Sequence, residues 1–240
     1  MATYTGVADA NGGFTVPFSS SYTGGQKVTV TAEKGAATKT IELFAPSEVV
    51  GNKPNIEVSG NWDNFPANIG TVTITVSGTI ASSAFWYKGD NYGFSNATNL
   101  EIKGCSGIGL YAFKSWKKMT SLTLDVSVKI IDGFAFESCS ALLNIVLPGV
   151  VNVGVGAFRY CGAVLSVDIG TAIITIGGAA FEYLSSCNQV ICRALSPPTI
   201  ESNSFGNIKS TCIFKVPAES VAAYQAAPGW SGYAARIQAI

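Results

Sequence analysis

Side-chain catalysis needs a nucleophile, an acid or base, or a metal ligand, and this chain offers few of them. Among its 240 residues there is no histidine, which removes the serine–histidine triad and any imidazole base. Two carboxylates alone can cleave a glycan, and Glu101, Asp125, Asp132, Glu137, Asp168 and Glu182 are the candidates. They are scattered, at places that do not match one another under the chain's internal repeat, and read as solvated charge. The six cysteines include no C-x-x-C pair, so the usual zinc frameworks have no support. Gly154-Val155-Gly156 and Gly177-Gly178 sit at turns, where glycine serves backbone geometry, and neither stands in a phosphate-binding context. The residues therefore predict a non-enzymatic protein with no cofactor and no metal.

Recognition chemistry is better served. Trp86-Tyr87-Lys88-Gly89-Asp90-Asn91-Tyr92-Gly93 concentrates three aromatics that give flat apolar area with polar edges. A little further on, Asn99 and Glu101, Ser121 and Thr123, and Asn144 and Val146 recur in pairs of small, mostly uncharged groups suited to a sugar or a protein face. The residues expected to contact a ligand are Trp86, Tyr87, Tyr92, Asn99, Glu101, Ser121, Thr123 and Asn144.

What must position these residues is a repeat. Its clearest copy runs Ile131-Asp132-Gly133-Phe134-Ala135-Phe136-Glu137-Ser138-Cys139, then through Leu142 and Ile145 to Leu147. With Phe136 as anchor, an aliphatic lies five before, a small residue one before, and apolar residues three, six, nine and eleven after. Phe85, Phe113, Phe158, Phe181 and Phe205 anchor five more copies. The anchors are 22 to 24 residues apart from Phe113 onward, and 28 apart between Phe85 and Phe113. The extra length in the first copy is the aromatic stretch after Phe85. One such unit cannot bury its own apolar face, so the units must stack as a solenoid. Positions nine and eleven share strand periodicity and point inward, which leaves eight and ten facing solvent. Stacking makes a parallel sheet of short strands about 4.8 Å apart. Cys139, Cys161, Cys187 and Cys192 fall on inward places and read as free, buried thiols. Cys139 and Cys161 are the pair placed closely enough for a bridge.

The pattern I-G-x-x-A-F-x-x-C-x-x-L-x-x-I-x-L, as in Ile176-Gly177-Gly178-Ala179-Ala180-Phe181 and Ala135-Phe136-Glu137-Ser138-Cys139, resembles the BspA-like leucine-rich repeats of bacterial surface, protist surface and phage proteins. The tail Cys212-Ile213-Phe214-Lys215-Val216-Pro217 with Tyr224, Trp230 and Tyr233 looks like that family's closing unit. The resemblance covers roughly residues 70–240. It implies adhesion with widely varied ligands.

The preceding residues differ. Tyr4 to Val7, Gly13 to Val16, Lys27 to Ala32 and Thr38 to Phe44 are short β runs, with Glu33-Lys34-Gly35-Ala36 a hairpin turn between the last two. They predict a small immunoglobulin-like β module. The stretches Gly12 to Phe18 and Tyr22 to Gln26 resemble small modules of phage and prophage tail-fibre proteins. The expected organisation is a mainly β protein: the immunoglobulin-like module over 1–46, a linker and N-terminal cap over 47–69, a leucine-rich-repeat solenoid of about six coils over 70–216, and a C-terminal cap over 217–240. Ala218 to Ala227 reads as a short helix between Pro217 and Pro228-Gly229, and both ends of the solenoid read as closed.

Charge is sparse and balanced, 15 basic against 15 acidic residues. That is not the basic stripe of a nucleic-acid binder. No apolar run approaches membrane-spanning length, so no membrane insertion is expected. Met1 to Gly6 lacks a charged n-region and an apolar h-region, so the chain as it stands reads as carrying no secretory signal. The expectation is a phage or prophage tail-fibre or receptor-binding component. Its solenoid would contact a host cell-surface protein or glycan, and its N-terminal module the tail structural proteins. The rival is a bacterial cell-surface adhesin, and a glycan-cleaving tail protein is a remote third.

Overall fold

The structure, a computed structural model, describes residues 27–34, 37–44, 55–56, 71–86 and 97–240. The chain divides into two compact units, Met1–Ser47 and Glu48–Ile240. In the first, β1 (Lys27–Lys34) and β2 (Ala37–Phe44) pair antiparallel from Lys27↔Phe44 to Lys34↔Ala37. The alternation Val28-Thr29-Val30-Thr31 and the β-branched Thr40-Ile41 favour those strands. Both strands reach further into the expected turn than the sequence predicted, because the pairing register continues to Lys34. The runs at Tyr4 to Val7 and Gly13 to Val16 lie outside the described residues, as does most of the expected N-terminal cap over Asn55 to Ile69.

The second unit is the solenoid. In chain order its first strands are β3 (Asn55–Ile56), β4 (Thr71–Ile80), β5 (Asn99–Ile108), β6 (Ser121–Leu124), β7 (Ile130–Ile131), β8 (Asn144–Leu147) and β9 (Asn152–Val153). Then come β10 (Ser166–Ile169), β11 (Thr175–Ile176), β12 (Gln189–Cys192), β13 (Thr199–Ile200), β14 (Ile213–Val216), the helix α1 (Val221–Ala226) and β15 (Ile237–Ala239). Among the described residues, every strand pairing in this unit is parallel. One flank is lined by longer pairings: β4, β5 and β6 form one run, and β8, β10, β12, β14 and β15 the next. The Leu143 N–H links the two runs by donating to the Thr120 carbonyl at 3.1 Å. A second ladder of mostly two-residue pieces runs β13-β11-β9-β7, continues through the far halves of β5 and β4, and ends on β3. The ten-residue β4 and β5 belong to both ladders.

The core follows the repeat. Phe113, Phe136, Phe158 and Phe181 have no exposed surface and Phe205 has 1%. The rings stack with centroids 5.0–5.6 Å apart and planes within 8° from Phe85 through to Phe205. Phe85 is half-buried. The strands β6 and β8 alternate exposed and buried, with Leu122, Leu124, Ile145 and Leu147 inside. The sixth copy departs from the template: Thr211, expected inside, is exposed, and Cys212 is buried in its place. The chain slips by one residue there, and Phe214 and Val216 regain the register. All six cysteines are buried and free.

A third ladder runs along the turn that carries the anchors. The N–H groups of Phe85, Phe113, Phe136, Phe158 and Phe181 donate to the next coil's carbonyl one before its own anchor, at 2.7–2.9 Å. The residues two before and two after the anchors from Phe113 to Phe181, and Ser83 before Phe85, donate in the same direction, as Phe134 does to Val155 and Ser138 to Arg159. To aim those N–H groups at the next coil, both places adopt left-handed backbone with φ between 51° and 65°. Eleven residues at these places have this backbone: Ser83, Tyr111, Ser115, Phe134, Ser138, Gly156, Tyr160, Ala179, Tyr183 and, in the last coil, Asn203 and Asn207. Only one is glycine; inter-coil hydrogen bonds hold eight of the ten side-chain-bearing residues in a conformation that costs about 1–2 kcal/mol each, and the other two, in the last coil, are asparagines, which tolerate it.

The last coil is covered by the expected closing unit. Pro217 precedes a 3₁₀ turn over Ala218–Ser220, which passes into α1. Tyr224 and Trp230 are fully buried, and each satisfies its polar end. The Tyr224 hydroxyl donates to the Ala194 carbonyl and the Trp230 indole N–H to the Pro198 carbonyl, both at 2.8 Å. Burial, then the neighbouring Cys192, pushes the Tyr224 phenol well above its ordinary range, so it stays a donor. The strand β15 adds in parallel to β14, pairing Phe214 with Ile237. Ile237 thus covers the last coil as one more strand.

Candidate functional site

The strand flank presents two straight outward rows. Register pairs Asn99 with Ser121 and Glu101 with Thr123, then Asn144 with Ser166 and Val146 with Asp168. Ser121, Thr123 and Asn144 are exposed and Asn99 and Glu101 half-exposed. The structure therefore brings five of the eight expected residues onto one face. The Ser166 hydroxyl donates to Asn144 Oδ1 at 2.8 Å, extending the first row as alternating amide and hydroxyl. Sequence reasoning missed the apolar margin of this face: Leu143 and Leu165, seven after their anchors, are 42% and 45% exposed beside Val146 at 47%. Leucine at one template place in neighbouring copies, outside the inward set, was the available signal.

Trp86 lies on a different edge. It occupies the place one after its anchor, and its ring packs 5.2 Å from Tyr111, which stacks in turn on Phe134 at 5.3 Å. The Lys114 ammonium sits over both Trp86 and Tyr111, 5.4 and 5.1 Å from their centroids. The sequence reading treated Trp86 as outside the stack; it is half-buried in a second aromatic row. Tyr87 and Tyr92 lie outside the described residues. Trp86→Ala is expected to cost about 1 kcal/mol, the worth of an aromatic pair. It should lower the melting temperature by about 2–4 °C, measured by calorimetry; an unchanged value would show that Trp86 contributes nothing to the row.

The same edge explains two of the carboxylates. One residue after each anchor, the sequence reads Lys114, Glu137, Arg159, Glu182 in consecutive coils. Glu137 and Glu182 thus do share a template place, contrary to the reading of the sequence, and they are nearly buried, at 8% and 7%. Lys114 meets Glu137 and Arg159 meets Glu182, each at 2.6 Å. Aromatics flank this charged row in a complementary way. Where the place two before the anchor is large (Tyr111, Phe134), the place two after is small (Ser115, Ser138). In the next coils Gly156 and Ala179 are opposed by Tyr160 and Tyr183, whose rings stack at 4.8 Å beneath the Arg159 guanidinium. A Cβ on Gly156 would meet the Phe134 ring at 2.5 Å.

The other carboxylates are equally engaged. Asp168 takes a two-pronged contact from Arg193 at 2.8 and 2.7 Å, and Glu101 meets Lys103 at 2.9 Å. Asp132 accepts from the Gly133 N–H at 2.7 Å. Asp125 accepts from the Gly104 N–H and from Ser127. Burial works against the Asp125 anion, but those bonds outweigh it and hold its carboxyl below the ordinary value. All six candidates serve ion pairs or backbone donors, an arrangement suited to holding coils together. Among the described residues no cluster of acidic residues and cysteines could hold a metal ion, and no helix is long and apolar enough to cross a membrane.

Comparison with known proteins matches residues 106–223 to the model of the BspA type Leucine rich repeat region, in six copies. No curated protein matches the chain. Among solved structures, a leucine-rich repeat protein of T. pallidum aligns at 20% identity and a TM-score of 0.47, over 62% of this chain and 75% of its own. A leucine-rich cell surface protein of Faecalibacterium prausnitzii aligns at 18% identity and a TM-score of 0.40, over 83% of this chain. This chain spans 53% of that protein.

Proposed function

We propose, from the premise that residues 106–223 belong to the BspA-type leucine-rich repeats, that this is a non-enzymatic recognition protein whose strand flank binds a ligand on a cell surface. The observation that carries the reading is the contrast between the two edges. The turn edge has its charges matched and its aromatics stacked on one another, whereas the strand flank leaves an amide and hydroxyl row exposed beside Leu143, Val146 and Leu165. Polar groups with hydrogen-bonding capacity next to exposed apolar area are what a sugar or protein face engages. The ligand lies across Asn99, Glu101, Ser121, Thr123 and Asn144, and Trp86, packed in the turn-edge row, is outside that footprint. In the working division residues 1–46 attach the molecule to a larger particle, 47–69 link, 70–216 recognise and 217–240 close the solenoid. A phage tail fibre meeting a bacterial host and a bacterial surface adhesin both place the flank in that role.

The test is binding of the full chain to bacterial cells by flow cytometry, with Thr123→Arg and Asn144→Arg combined. Both sites are exposed, so the melting temperature should hold within a few degrees. Binding should weaken at least tenfold, about 1.4 kcal/mol. Undiminished binding by a folded double variant would remove the strand flank from the function.

A further inference from the structure

Two of the six thiols meet across the boundary between the last two coils. Cys187 and Cys212 are both fully buried. The Cys212 thiol donates to the Cys187 sulfur at 3.9 Å, across a sequence separation of 25. Cys187 in turn donates to the Gln189 carbonyl at 3.3 Å. Parallel coils about 4.8 Å apart put neighbouring Cα atoms in the range a disulfide spans. Carbonyl contacts are common to the thiols: Cys212 also lies 3.8 Å from the Ile213 carbonyl, Cys105 donates to Gly107 at 2.8 Å, Cys139 to Phe113 at 3.4 Å and Cys161 to Phe136 at 3.3 Å. The Cys192 sulfur lies 3.2 Å from the Tyr224 hydroxyl oxygen.

Electrostatics separates this pair from Cys139 and Cys161, the pair that sequence register favours. Burial, then the neighbouring Cys139 and the nearby Glu137, push the Cys161 thiol up. Cys187 is the opposite case. The thiol bond from Cys212 pulls it down, burial opposes, and the Gln189 contact and the positive Lys209 help to lower it. Cys212 is raised in exchange, mainly as the donor to Cys187. Position matters as well. Cys139 and Cys161 lie mid-stack, whereas Cys212 belongs to the last coil, the part of a solenoid that opens with fewest neighbours to disturb.

We propose that Cys187 and Cys212 are an oxidisable pair whose disulfide staples the last repeat coil, and the cap over it, to the coil before. With a peroxide as oxidant, the Cys187 thiolate attacks one peroxide oxygen and the O–O bond breaks. The departing hydroxide takes a proton and leaves as water, and Cys187 becomes a sulfenic acid. The Cys212 sulfur then attacks the Cys187 sulfur, the S–O bond breaks, and a second water leaves with the Cys212 proton. Two thiols and one hydrogen peroxide give one disulfide and two waters, with two electrons passing from sulfur to peroxide. The closed loop contains Phe205, the last anchor, so the bond restrains the region that opens first. Folding itself uses the reduced thiols, so the bond adds to a structure that already stands.

The experiment treats the reduced full chain with hydrogen peroxide, quenches it, and counts thiols after denaturation. The count should fall from six to four. A tryptic map without reductant should join the Ser210 to Lys215 fragment, which holds Cys212 alone, to the Tyr160 to Arg193 fragment, with fragmentation placing the bond on Cys187. The melting temperature should rise by about 5 °C or more, since a long loop is restrained, and return on adding reductant. Cys212→Ala should lose both effects and Cys161→Ala should keep them. If either variant fails to fold, the map of the unsubstituted chain decides alone. Six surviving thiols, a bond between any other two sulfurs, or a correct bond without a rise in melting temperature would each overturn the proposal.

Discussion

Phe158→Ala should lower the free energy of unfolding by about 3–5 kcal/mol, the cost of emptying a fully enclosed aromatic site. Phe158 has no exposed surface and lies between Phe136 at 5.2 Å and Phe181 at 5.6 Å, its plane within 6° of both. Collapse to fill the gap is hindered on both sides. Coils three and five are held at their spacing by strand ladders and by the anchor N–H bonds, so their rings cannot close the distance without breaking backbone hydrogen bonds. A urea melt measures the change. A loss below about 1 kcal/mol would show that the stack does not support the solenoid at its centre.

Gly149→Ala is the second large effect, and it arises from space. A Cβ at Gly149 would sit 2.2 Å from the Val126 carbonyl oxygen and under 3 Å from two further Val126 backbone atoms. Glycine is needed there because the preceding coil's main chain fills the place a side chain would take. The obstruction is backbone, which no rotamer change relieves, so the cost should reach about 3 kcal/mol, the upper end for overpacking. Gly232→Ala is the control, since nothing lies within 4 Å of its Cβ, and it should change stability by less than about 0.5 kcal/mol. Equal melts for the two variants in urea would refute the close approach at Val126.

Much of this was legible in the sequence because burial on the strand flank is written in side-chain type. Phe136, Leu142, Ile145 and Leu147 had to be apolar, and their spacing carried over to five other copies. The turn ladder left no such trace. Glycine is the usual sign of left-handed backbone, yet Tyr111, Phe134, Tyr160 and Tyr183 adopt it, held by bonds to the next coil. The aromatic rows they form were hidden for the same reason, since their places looked like variable loop. The second strand ladder escaped because a two-residue strand has no periodicity to read. Glu137 and Glu182 passed for surface charge, although alternation of sign at one template place in four consecutive coils was there to be seen. Cys212 was misplaced by the single-residue slip in the sixth copy, which moved Thr211 outward and aimed a second sulfur at Cys187.

The direction of the hydrogen bonds has a mechanical consequence. In the strand, short-strand and turn ladders alike, the bonds between coils run along the stacking axis. A load drawn along that axis opens the three ladders together at one coil boundary, while the neighbouring boundaries stay shut until it yields. Each boundary that gives way frees one repeat of 22 to 24 residues between anchors, a length of roughly 7–8 nm when fully drawn out. The solenoid would therefore lengthen under tension in near-equal steps as the load runs through the coils, and a ligand held on an unopened coil would stay bound while its neighbours give.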